Sequence, residues 1–88
     1  MNDATHQVSI SLDNLRPGNP EKILNVLISE FKKENLLDVK QGFEYLNLTI
    51  QANLSWNQTP EALESFIGGL VSAVNPENIF IYMDIDSL

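Results

Sequence analysis

The chain contains no cysteine. That absence excludes a disulfide framework, thiolate zinc centres, iron–sulfur clusters and cysteine nucleophiles together. Histidine occurs once, at His6, so a multi-histidine metal site is excluded and a histidine-dependent Ser triad has no credible base. Arginine also occurs once, at Arg16, and no Lys or Arg follows Lys40. From Gln41 to Leu88 the chain holds six acids and no base, within a net charge of −7. Nucleic-acid surfaces need cations to neutralise phosphates, and half of this chain offers none. Direct nucleic-acid binding is therefore not expected, and neither is adhesion to anionic lipid. No apolar run is long enough to cross a bilayer; the longest lies around Phe66 to Val74. The polar stretch Met1–Gln7 lacks the apolar core of a secretory signal, which makes the cytoplasm the expected compartment. Gly18, Gly42, Gly68 and Gly69 fit neither a dinucleotide fingerprint nor a phosphate-binding loop.

What is present points to one folded domain over residues 1–88, with 1–6 expected as a disordered tail. At 43% hydrophobic residues the 88-residue chain is too apolar to stay unfolded, and it is too short to divide into two cores. Val8, Ile10 and Leu12 alternate with Ser9, Ser11 and Asp13, the pattern of a half-buried strand. Pro17-Gly18 suits the centre of a type II turn, because Pro presets φ and Gly accepts a positive one. Asn19 is then expected as helix cap and Pro20 as first helical residue. Ile23, Leu24, Leu27, Ile28 and Phe31 form one helical stripe, predicting a helix over about 20–34 with Lys32 and Lys33 in its last turn and Asn35 as left-handed terminator.

A short strand over 36–40 and a turn at Gln41-Gly42 follow. Leu46, Leu48, Ile50, Ala52 and Leu54 then alternate with Tyr45, Asn47, Thr49, Gln51 and Asn53, the clearest strand in the chain. Thr59 is placed to cap a second helix that Pro60 opens, with Leu63, Phe66, Ile67, Leu70, Val71 and Val74 as its buried stripe. Asn75-Pro76 ends it, since the residue before Pro resists helical geometry. Ile79, Ile81, Met83 and Ile85 face inward from a last strand.

The order strand, helix, strand, strand, helix, strand predicts an α+β two-layer sandwich, with two helices on one face of an antiparallel sheet. Its expected arrangement is the ferredoxin-like βαββαβ, strands one and three central; without the short strand it falls back to a three-stranded βαβαβ. Such an architecture hosts unrelated functions and licenses none by itself.

Two surfaces stand out. The sheet face turned from the helices is expected to carry Tyr45, Asn47, Thr49, Gln51, Phe80, Tyr82 and Asp84, beside Ser9 and Ser11. It is nearly free of Lys and Glu, as protein contact surfaces are, although Thr, Ser and Tyr also suit strands for purely structural reasons. The back of the second helix, Ser65, Gly68, Gly69 and Ser72, is small and almost uncharged, with Trp56 in the loop before it. Two interior glycines cost roughly 2 kcal/mol against Ala, so either a partner approaches closely there or the helix is simply weak. Asp13, Asp84 and Asp86 could supply oxygen ligands for a divalent cation, but a solvated acidic edge explains them as well.

No catalytic, cofactor-binding or metal-binding residue is expected. The favoured function is a non-catalytic protein–protein interaction module (a regulator, adaptor or inhibitor), forming a homodimer through the open sheet face, meeting a basic protein partner through its carboxyl-terminal half, or both. A small-ligand-binding regulatory domain is the alternative. A small dimeric enzyme using Tyr45, Tyr82 or Asp84 as acid–base groups comes third.

Overall fold

The computed structural model describes residues 4–54, 59–76 and 79–88. Along the chain run β1 (His6–Asp13), α1 (Asn19–Phe31), one 3-10 turn (Lys33–Asn35), β2 (Leu36–Gln41), β3 (Leu46–Ala52), α2 (Pro60–Val74) and β4 (Phe80–Ser87). The strands make a single sheet in the order β2-β3-β1-β4, with every neighbouring pair antiparallel. The segment after α1 is thus a strand, and the three-stranded fallback does not apply. His6 opens β1, and Thr5 joins the sheet through its N–H to the Ala52 carbonyl (3.0 Å) and its carbonyl to the Leu88 N–H (2.9 Å). His6 thus lies in the strand and Thr5 is hydrogen-bonded beside it, where a tail through residue 6 was anticipated.

Val8, Ile10 and Leu12 of β1 and Leu46, Leu48, Ile50 and Ala52 of β3 are buried on one face. They share a cluster with Ile23 and Leu27 of α1 and Leu63, Ile67 and Val71 of α2, so both helices cover that face. Border strands fare differently. In β4, Met83 and Ile85 are half-buried and Ile81 is 43% exposed, although their register opposite Ile10, Val8 and Leu12 gives them the predicted inward orientation. Two helices suffice for the two central strands, and the rims of the sheet stay partly uncovered. Phe66 is likewise exposed instead of buried. Its ring meets Phe31 edge-on at 6.2 Å and 72°, closing the gap between the helices from outside.

The turns follow local chemistry with two corrections. Gly18 has φ +87°, and the Asn19 N–H donates to the Arg16 carbonyl at 3.0 Å, as a type II turn with Pro17-Gly18 at its centre requires. Asn19, however, is not the cap. Gly18 occupies that position, and Asn19 turns its amide inward, donating to Asn75 Oδ1 at 2.6 Å and to the Val74 carbonyl at 3.5 Å. Helix α1 also ends at Phe31, earlier than the stripe suggested, because Lys32 and not Asn35 adopts a positive φ of +70° with ψ 143°. Asn35 contributes by side chain, its Nδ2 donating to the Phe31 carbonyl at 2.7 Å. Thr59 does cap α2, its hydroxyl accepting the Ala62 N–H at 3.1 Å, and Asn75 ends that helix.

Asn75 is 2% exposed, and its Oδ1 accepts from both Asn19 Nδ2 and the Arg16 N–H (3.0 Å). It thereby ties the β1–α1 turn to the end of α2. Replacing Asn75 by Ala removes the acceptor of the Arg16 N–H and leaves Asn19 Nδ2 only the longer bond to the Val74 carbonyl, and chemical denaturation is expected to show a loss of about 1–3 kcal/mol. Lys32 presents the opposite case: a side chain in a backbone region where glycine is at ease. Lys32→Gly is expected to raise stability by about 1 kcal/mol in the same assay.

Candidate functional site

The antiparallel register lays out the open face row by row. Pairing of β1 with both neighbours sets Ser9 between Thr49 and Asp84, Ser11 between Asn47 and Tyr82, and Gln7 between Gln51 and Asp86. Asp13 pairs with Phe80 at the end of the sheet nearest the β2–β3 turn. On the other side, Asp38 lies opposite Thr49 and Lys40 opposite Asn47. Side chains alternate across a sheet, so all these residues share the face turned away from the helices. Asn47, Thr49, Gln51, Phe80, Tyr82 and Asp84 are therefore brought together as anticipated. Asn53 lies beyond the end of β3 and is exposed.

Tyr45 precedes β3 instead of lying within it. The Gly42 N–H donates to the Tyr45 carbonyl at 3.0 Å, closing the β2–β3 hairpin around Phe43 and Glu44. A Cβ at Gly42 would collide with the Tyr45 ring, so the absence of a side chain there makes room for that aromatic. Phe43 stands at the hairpin apex, 78% exposed, and sequence reasoning overlooked it. An aromatic between Gly42 and Glu44 in a turn was the available signal. Asp38 and Lys40 were also missed, because the register shift between Leu36 and Asp38 interrupts the alternation of β2.

The face is graded. One end carries Phe80 (74% exposed) and Tyr82 (65%). The centre consists of hydroxyls and amides. The rows of Ser9 and Gln7 end in Asp84 and Asp86 on β4, and Asp38 stands at the β2 end of the Ser9 row. Lys40 is the one cation among the described residues of the strands on this face. A shallow depression of about 260 Å³ between β1, β2 and β3 is lined by Ser9, Ser11, Asp38, Lys40, Asn47 and Thr49. It can offer hydrogen bonds to a bound surface.

Asp13 does not join Asp84 and Asp86, since its β4 partner is Phe80, four residues from Asp84. Among the described residues no three His, Asp or Glu side chains gather as a metal site. On α2, a Cβ added at Gly68 or Gly69 meets nothing within 4 Å, so Ser65, Gly68, Gly69 and Ser72 form a bare back within this chain. Trp56 lies outside the described residues. No helix among the described residues is long and apolar enough to cross a membrane.

No family model, curated protein or solved structure matches this chain. The geometry of the chain itself therefore carries the functional reading.

With open space at position 69 and an ordinary helical backbone, Gly69→Ala is expected to stabilise the protein by about 0.4–1 kcal/mol. Thermal unfolding of the variant beside the parent checks this. A loss of stability would mean that something packs against the back of α2.

Proposed function

We propose that this protein is a non-catalytic interaction module whose open sheet face receives a basic protein segment. The observation that carries the reading is the grading of that face: exposed Phe80 and Tyr82 at one end, neutral hydroxyls and amides between, and Asp84, Asp86 and Asp38 along its margins. Aromatics supply large contact area at little conformational cost, and the depletion of Lys and Glu lowers the desolvation cost of covering the centre. A guanidinium from the partner can stack on Tyr82 while a neighbouring cation meets Asp84, one residue row away. The whole chain, at −7, adds long-range attraction for such a partner.

A second copy is a poorer occupant of this face, because sheet-to-sheet stacking would bring two acidic margins under one cover. The strand–helix order with β1 and β3 central also supports the ferredoxin-like reading of the architecture, which accommodates an exposed sheet face of this kind. The cytoplasm remains the compartment we propose, on the cysteine-free composition.

Selection from a random displayed peptide library, with the purified protein as bait, tests the proposal. Enriched peptides are expected to be rich in Arg and Lys and to shift the amide resonances of Ser9, Ser11, Asn47 and Thr49. Their affinity is expected to fall as salt rises, and about tenfold on Tyr82→Ala. Acidic or neutral winners, or shifts confined to α2, would overturn the assignment. Metabolite-induced thermal stabilisation without peptide binding would favour the small-ligand alternative.

A further inference from the structure

The sheet has two borders, and they are protected unequally. Border strand β2 has a register shift that leaves Leu37 as an extra residue, and it carries Asp38 and Lys40. Bulges and charges of this kind discourage a further strand from pairing. Border strand β4 has no bulge over Phe80–Ser87: it pairs residue for residue with β1 from His6 to Asp13, without a register shift, contains no Pro or Lys, and carries its charges, Asp84 and Asp86, only on the open side. Its outer edge carries backbone N–H and C=O groups that the sheet does not pair. On the helix side, Ile81 is 43% exposed and Met83 and Ile85 are only half-buried.

We infer that the occupant of this edge is a second copy of the same strand, paired antiparallel about a two-fold axis at Met83. The support lies in the order Phe80-Ile81-Tyr82-Met83-Asp84-Ile85-Asp86. A two-fold axis normal to the sheet keeps each side chain on its own face and pairs residues symmetrically about the axis. With the axis at Met83, each Ile81 lies opposite Ile85 of the second copy, so the helix side of the seam is continuous apolar surface. On the open side, Tyr82 lies opposite Asp84 and Phe80 opposite Asp86. Moving the axis to Asp84 would set Asp84 directly against itself, which like charges disfavour. Moving it to Tyr82 shortens the overlap at the Ser87 end. Met83 thus combines the longest overlap with no directly opposed acids, and the seam covers the half-clad side chains of β4.

Joining the two sheets leaves both open faces free and coplanar, so the inference stands apart from the proposed docking of a basic segment. Two charges of −7 are brought together, and the Asp84 side chains lie one diagonal step apart across the seam. Salt should consequently strengthen self-association, the opposite of its expected effect on a basic partner.

Sedimentation equilibrium of the full chain from micromolar to submillimolar concentration tests the inference. The mass is expected to rise from 9.9 kDa toward twice that value, more readily at high salt. Ile81→Lys places a charge on the seam and is expected to weaken association about tenfold or more while circular dichroism remains that of the folded chain. Thr49→Arg, in the middle of the open face, should not weaken association. Should Ile81→Lys fail to fold, cysteine placement decides. The parent has no cysteine, so Met83→Cys is expected to form a disulfide-linked dimer on mild oxidation, and Ser72→Cys on the back of α2 is not. A parent that stays monomeric throughout, a dimer broken by Thr49→Arg, or cross-linking at Ser72→Cys but not Met83→Cys would overturn the inference.

Discussion

The central pair of strands sets the terms for everything else. Val8, Ile10 and Leu12 on β1 and Leu46, Leu48 and Ile50 on β3 lie side by side on one face, and these apolar rows must be removed from water. Covering them takes one helix stripe each from α1 and α2, whose buried side chains complete the same cluster. Once those stripes are used, no further element among the described residues remains for the opposite face or for the rims of β2 and β4. The open face, the exposed Ile81 and the half-clad Met83 all follow from that shortage of cover.

A single buried amide coordinates the two halves. The Oδ1 of Asn75 receives Asn19 and the backbone of Arg16, linking the turn into α1 with the exit from α2. The orientation of the amide follows from these partners, since turning it over would direct Nδ2 at two donors. Its Nδ2 is buried without a hydrogen-bond partner. The polar contact therefore serves as positioning more than as a source of net stability. It holds the start of α1 and the end of α2 in a fixed relation to each other.

Legibility in the sequence varied with the range of the interaction involved. The alternation of β1 and β3, the turn at Pro17-Gly18 and the cap at Thr59 concern residues close along the chain, and each was readable. Asn47, Thr49 and Gln51 could be assigned to one face because strand periodicity is two and β3 holds it without interruption. Lys40 and Asp38 escaped, since a single extra residue at Leu37 exchanges the faces of whatever follows it. Asn19 misled for a different reason. Its residue type suits a helix cap, yet a buried partner more than fifty positions away claimed its amide.

By itself the sequence determined the kinds and order of the elements, the inward and outward sets along the central strands, and the charge imbalance after Lys40. Those properties are local or compositional, and they follow from backbone sterics, side-chain periodicity and ionisation. Only the tertiary structure decided which inward residues are truly covered: Ile81 and Leu12 are partners in register and share one face, yet one is 43% exposed and the other fully buried. Periodicity states which way a side chain points. Whether another element lies over it depends on where the two helices come to rest, and they come to rest over the middle of the sheet because that is where the most apolar surface can be removed from water.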